Sequence, residues 1–179
     1  VVTHAQPAAR ADLLIIDDIL PCGFSPFRTV EYSHYLEFFN ARLLSTEGWH
    51  LWLSNENFDT HLHRLAVRED LKERIVSAAS SAPDLIAPLA YITFLNNAVS
   101  LLPNLTQWRL PFILQLYPGG GLAVDQPETD EKLRRVLLSD LCRKVIVTQR
   151  LTRDYIIDRI GCDTSKIEFI FGGVFESRI

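Results

Sequence analysis

Short apolar runs bounded by polar residues, proline or glycine recur along this chain, and stretches with apolar residues every three or four positions separate them. Runs of this length suit strands buried on both faces. Asp12-Leu13-Leu14-Ile15-Ile16-Asp17-Asp18 has this form, as do Val145-Ile146-Val147-Thr148 and Lys166-Ile167-Glu168-Phe169-Ile170-Phe171. The run Phe112 to Tyr117 is entered through Pro111 and stopped by Pro118 and three glycines. Strands alternating with helices require crossover connections, and these lay helices over a parallel sheet. The expected fold class is α/β: a Rossmann-like open parallel sheet with helices on both faces.

The intervening stretches carry finer expectations. Tyr32, Tyr35, Leu36, Phe39 and Leu43 fall at helical spacing, predicting a helix from about Thr29 to Leu44 that Gly48 ends. Trp49 to Leu53 then reads as the second strand, and Asn55 to Arg64 as irregular. Leu71, Ile75 and Ala79 recur four apart, predicting an amphipathic helix from Leu65 to Ser80. Pro83 to Ala87 reads as a short strand, and Tyr91 to Leu102 as a buried helix closed by Pro103 and Asn104. Asp125-Gln126-Pro127-Glu128 resembles a capping box with a helix-starting proline. A last helix is expected from Leu151 to Ile160, with Gly161 at its C′ position.

At 179 residues and 47% hydrophobic content, the chain can bury a sizeable core. Residues 12–175 are expected to form one domain behind a loose lead-in, residues 1–11. The net charge of −4 offers no electrostatic footprint for nucleic acid. No apolar run approaches the roughly 20 residues of a membrane span, and no basic segment precedes an apolar one at the start. Cys22, Cys142 and Cys162 are odd in number and lack ligand-like spacing, which suits free thiols in a reducing compartment such as the cytoplasm. The absence of methionine predicts that the chain is part of a longer polypeptide.

Several chemistries lack their residues. The loop Pro21-Cys22-Gly23-Phe24-Ser25-Pro26 after the first strand does not carry the Gly-x-Gly-x-x-Gly of dinucleotide binding, and no strand leads to Gly-Lys-Ser/Thr. No Gly-x-Ser-x-Gly elbow is present. His61 and His63 stand two apart, which on a helix turns them to different faces, so no metal is expected. Asp17-Asp18 could be the acid pair of a phospho-receiver or a carboxylate pair capping a strand, yet Ala87-Pro88 stands where a receiver's acceptor Asp would be. Gly119, Gly120 and Gly121 either let the backbone approach a ligand beyond the strand's carboxyl end or only make a tight turn.

The C-terminal half adds a resemblance. Lys144-Val145-Ile146-Val147-Thr148-Gln149, then Thr152-Arg153-Asp154-Tyr155, then Cys162 to Val174 is similar to the end of the N-terminal domain in GT-B glycosyltransferases. The nearest group is the large retaining family often labelled group 1 or family 4. Leu13 to Asp18, the loop with Gly23, Arg28-Thr29-Val30-Glu31-Tyr32 and Pro83-Asp84-Leu85-Ile86 resemble the same family's first strand, donor-side loop, first helix and third-strand entry. Gly172 stands where the family's closing turn usually has Asn.

The resemblance implies an enzyme with two Rossmann-like halves, of which this chain would be the acceptor-binding N-terminal half, inactive alone. A C-terminal donor-binding domain, supplied in cis, would grip a nucleotide-sugar and transfer its sugar with retention, without an essential metal. The loop Gly23, Phe24 and Ser25 would approach the donor diphosphate, and Arg28, Glu31, Gly119, Gly120, Gly121, Thr148, Gln149 and Arg150 would line the acceptor side. Where the family places a His near the reacting sugar, this chain has Tyr117, which could donate a hydrogen bond in its place; the glycine N–H groups are the other candidates. The acceptor implied is a sugar, a glycolipid or another small molecule. The chain is expected in the cytoplasm, and peripheral membrane contact is common in such transferases. The competing expectation is a self-contained α/β binding or regulatory module of receiver or flavodoxin type, motivated by Asp17-Asp18.

Overall fold

The computed structural model describes residues 10–51, 53–79 and 87–171. The chain forms two compact units, Val1–Pro88 and Leu89–Ile179. Both are α/β, with parallel strands joined by helical crossovers in the Rossmann manner.

In the first unit, β1 (Leu13–Asp17) is followed by α1 (Pro26–Phe38), β2 (Ala41–Ser45), a 3-10 turn at Gly48–Leu51, α2 (Phe58–Arg64), α3 (Glu69–Lys72) and β3 (Ile75–Ser77). The strand order is β3-β2-β1. Leu13 pairs with Ala41 and Asp17 with Ser45, so β1 and β2 end level. Ser45 in turn pairs with Ser77, which brings all three carboxyl ends to one edge. Ile15, Ile16, Tyr32, Leu36 and Leu43 fill the core.

Three expectations fail in this unit. The second strand is Ala41–Ser45, not Trp49 to Leu53, and the helix before it stops at Phe38. Leu43 does continue the spacing of Tyr32 and Leu36, but Phe39 is already extended and Asn40 accepts the N–H of Asp12 at 2.8 Å, which aligns the next residues with β1. A buried strand can use any spacing, because both its faces are covered. The aromatic run after it serves another purpose. Trp49 is fully buried against Ile19 and Cys22, and its indole N–H donates to the Glu56 carbonyl at 3.3 Å. Asn55 to Arg64 is not irregular, since Asn57 caps α2 by accepting the N–H of Thr60 at 2.9 Å. The long helix expected from Leu65 to Ser80 is a single helical turn followed by β3; Leu71 and Ile75 are both buried but belong to different elements.

The second unit runs β4 (Ala90–Thr93), α4 (Leu95–Trp108), β5 (Phe112–Leu116), α5 (Pro127–Leu137), β6 (Cys142–Val147), α6 (Arg150–Asp158), a 3-10 turn at Thr164–Lys166, and β7 (Ile167–Phe169). Its strands lie in chain order, β4-β5-β6-β7. The Tyr91 to Leu102 helix is corrected twice: its start is β4, buried at every position, and the helix proper continues through Pro103 to Trp108. Proline removes one interior N–H without ending the helix. The stop comes at Arg109, left-handed at φ 51 and ψ 37, with the Leu110 N–H reaching back to the Leu105 carbonyl at 2.9 Å. Pro127 does open α5, but the N-cap is Gln126 and no side chain caps it, so the capping box does not form. Gly161 takes φ 78, but α6 stops at Asp158 with Arg159 as its C-cap, so the glycine stands one residue beyond the C′ position.

Among the described residues, no helix is long and apolar enough to cross a membrane. The expected strand at Pro83-Asp84-Leu85-Ile86, the lead-in before Arg10 and the turn Gly172-Gly173-Val174 lie outside the described residues.

Candidate functional site

In parallel sheets the strand carboxyl ends are where ligands collect. In the first unit, that edge is dominated by Asp17, the last residue of β1. Its carboxylate is buried and accepts four hydrogen bonds. Oδ1 takes the N–H groups of Ile19 (2.8 Å) and Leu20 (2.7 Å). Oδ2 takes Nη1 of Arg28 (2.8 Å) and the hydroxyl of Tyr32 (3.0 Å). The same Arg28 nitrogen reaches Oδ1 of Asp18 at 2.7 Å. Burial pushes the Asp17 carboxyl above its ordinary range, while Arg28 and the two backbone N–H groups pull against that shift. Asp17 is thus a strand-end carboxylate tied to the loop and to α1.

Arg28, expected on the acceptor side, is likewise buried beneath α1 as the counter-charge of this group. Glu31 is half-buried and accepts the hydroxyl of Tyr35 at 3.0 Å. In the donor-side loop Gly23 and Phe24 are exposed, whereas Ser25 is buried at the N-cap of α1, where its carbonyl accepts the N–H of Thr29 at 3.1 Å.

Beside it, at the ends of β2 and β3, stands a cluster that periodicity did not reveal. Glu47 sits at φ 56, and its carboxylate accepts the hydroxyl of Ser77 on one oxygen and lies 3.3 Å from Nε2 of His50 on the other. The Ser45 hydroxyl donates to the Leu20 carbonyl and accepts the N–H of Glu47. Only the level register of β2 and β3 brings Ser45 and Ser77 together, so the sequence carried no signal for this cluster.

In the second unit, Tyr117 follows β5 directly and is half-buried. Gly119 to Gly121 form a tight turn, with the Leu122 N–H donating to the Gly119 carbonyl at 3.0 Å. The central φ values, 54 at Gly120 and 90 at Gly121, are those of a type I′ turn, which glycine adopts most readily. The turn packs on the start of α4. A Cβ at Gly120 would lie 2.2 Å from the Phe94 ring, and one at Gly121 would lie 2.2 Å from Oδ1 of Asn96. The Asn96 N–H also donates to the Gly120 carbonyl at 2.9 Å. Tyr117 and the three glycines are thus gathered with Phe94 and Asn96, two residues the sequence reading did not single out. Thr148, Gln149 and Arg150 follow β6, and Gln149 is the N-cap of α6.

A third group locks α5 to α6. The Tyr155 hydroxyl donates to Oδ1 of buried Asp130 at 2.5 Å and accepts the N–H of Asp125 at 2.8 Å. Arg159 and Arg134 approach the other oxygen at 3.5 and 3.8 Å. Among the described residues, no set of three His, Cys, Asp or Glu side chains is placed to hold a metal ion.

No protein-family model matches this sequence, and no curated protein matches it. The class of protein is therefore carried by the fold: an α/β, Rossmann-like chain with polar and aromatic clusters at its strand carboxyl ends.

Proposed function

We propose that this chain is the acceptor-binding N-terminal domain of a retaining GT-B glycosyltransferase that moves a sugar from a nucleotide-sugar donor. The observation that carries the reading is where the strands end. β1 stops at Asp17 ahead of the Gly23 loop, β5 at Leu116 ahead of Tyr117 and the glycine turn, and β6 at Val147 ahead of Thr148. The loops that this reading turns toward the substrates thus follow carboxyl ends, where an α/β enzyme gathers its ligands. In this reading Tyr117 takes the place of the family's His, and Gly23 and Phe24 form the loop facing the donor diphosphate. A second Rossmann-like domain, joined in cis, supplies the grip on the nucleotide. The enzyme is cytoplasmic and works with a sugar, glycolipid or small-molecule acceptor, without a metal cofactor.

The test is transfer from radiolabelled nucleotide-sugars. The 179-residue chain alone is expected to give no turnover, and the product of the complete gene is expected to transfer with retention at the anomeric carbon. Turnover by the 179-residue chain alone, or none by the complete gene product across UDP- and GDP-sugars, overturns the reading. The sequence encoded after Ile179 is a second check: an α/β domain bearing an acidic pair supports the reading, and an immediate stop codon removes it.

A further inference from the structure

Phe94, between β4 and α4, has φ 74 and ψ 145, well away from the small left-handed region in which Arg109 sits. Bulky residues rarely adopt such angles, and they persist only where neighbours over-determine them. The neighbours here are plain. The Phe94 N–H donates to the Gln115 carbonyl at 3.0 Å, and its own carbonyl accepts the N–H of Ala98 at 3.2 Å. Its ring lies against Gly120, where any Cβ would come within 2.2 Å of Cδ1. The Tyr117 ring stands 6.0 Å away, tilted by 56°. Core burial is not what this arrangement achieves, because both rings are only partly buried. What it does achieve is two aromatic rings held together at the adjoining ends of β4 and β5.

Polar groups stand nearby in the chain. The Asn96 side chain, packed on the glycine turn, is exposed, and its Oδ1 lies 3.5 Å from Nζ of Lys132. Gln115, in β5 two residues before Tyr117, is buried, and its Oε1 has no hydrogen-bond partner among the described residues. Aromatic π-faces are electron-rich and attract the C–H face of a sugar ring. The ring's hydroxyls both donate and accept, so they can answer the Asn96 carboxamide and the Lys132 ammonium together.

We propose that Phe94 and Tyr117 form a carbohydrate-stacking subsite that takes a pyranose ring. That the ring belongs to the acceptor rests on the glycosyltransferase reading. No bond is made or broken at this subsite; it binds and orients.

Aromatic-ring NMR of the full chain titrated with methyl α-D-glucopyranoside, methyl α-D-mannopyranoside and methyl β-D-galactopyranoside tests it. At least one glycoside is expected to shift the Phe94 and Tyr117 ring signals saturably. Phe94→Gly and Tyr117→Leu should each weaken that binding by about five- to tenfold. Phe94→Gly relieves the backbone angle, so its thermal midpoint should stay near that of the parent chain; should it fail to fold, Tyr117→Leu carries the test. The subsite is overturned if no glycoside shifts the rings, if uridine shifts them and the glycosides do not, or if the folded variants bind as the parent does. Glycoside binding at the rings without any nucleotide-sugar turnover by the complete gene product would leave the subsite and remove the transferase. Turnover whose acceptor KM is indifferent to both variants would do the reverse.

Discussion

Nη1 of Arg28 lies 2.8 Å from Oδ2 of Asp17, and the two side chains are only 4% and 0% exposed. Breaking such a pair leaves an uncompensated charge in the interior, while neutralising both partners is far milder. Arg28→Met should therefore destabilise the chain by about 3–5 kcal/mol in urea unfolding. Adding Asp17→Asn, which keeps an oxygen for the Ile19 and Leu20 N–H groups, should recover part of that loss. The pH sign follows. Burial already raises the Asp17 carboxyl above its ordinary 3.8, and without Arg28 it rises further. The native variant then holds a proton that the unfolded chain releases, so its stability falls as pH climbs above 3.8. The deficit relative to the parent chain should be larger at pH 7 than at pH 5; an equal deficit would contradict a buried unpaired carboxylate.

The three glycines should not be equivalent. Gly119 has open space at its Cβ position, so Gly119→Ala meets only the cost of φ 90, about 1–2 kcal/mol. Gly120→Ala adds a collision with the root of the Phe94 side chain, and Gly121→Ala one with the Asn96 carboxamide. Both should lower the thermal midpoint more than Gly119→Ala does. Equal shifts at all three positions would mean that the turn is not seated against α4.

Tyr155 joins Asp130 on α5 to the Asp125 N–H just before that helix. Tyr155→Phe should cost about 1–3 kcal/mol, because a buried carboxylate loses a donor. The hydrogen bond to Asp130 raises the Tyr155 hydroxyl above its usual 10.0. In a spectrophotometric titration at least one tyrosine should ionise late, and the late component should lose one tyrosine's amplitude in Tyr155→Phe.

Cys142 is 1% exposed, and burial pushes its thiol from 9.0 up to about 12. In the native chain at pH 8 it should resist iodoacetamide, and in urea it should react at the rate of an ordinary thiol. The native thiol keeps its proton where the unfolded one loses it. Stability should therefore fall between about pH 9 and 12, by up to about 1.4 kcal/mol per pH unit. Cys142→Ala should reduce that slope, leaving the share of Cys162, whose thiol burial also raises.

Strands marked by both composition and punctuation were legible from residues alone. β1 ends in a double carboxylate, and β5 is set between Pro111 and Pro118; both lie where the apolar runs place them. β2 carried no such marks. Ala41-Arg42-Leu43-Leu44-Ser45 continues the spacing of α1 without a break, while Trp49 to Leu53 looks more strand-like, yet Trp49 and Leu53 pack on Ile19 and Cys22. β4 was hidden for a related reason: with Tyr91 and Ile92 running on into Leu95 and Ala98, all buried, a helix and a strand covered on both faces give the same apolar pattern.

The candidate site divides in the same way. Tyr117, the glycines and the β6 end could be named because turn residues announce a strand's end in local sequence. Local sequence determined the α/β class, the ends of β1, β5 and β6, and the positions where glycine was needed. It could not determine which residues meet across elements, because that depends on register and burial. The pairing of Ser45 with Ser77, the enclosure of Asp17 by Arg28 and Tyr32, and the seating of Gly120 on Phe94 join residues 11 to 32 positions apart. Tertiary packing alone decided that the strand-end carboxylate faces inward and that an aromatic ring, held at a backbone angle its own residue type disfavours, faces the glycine turn.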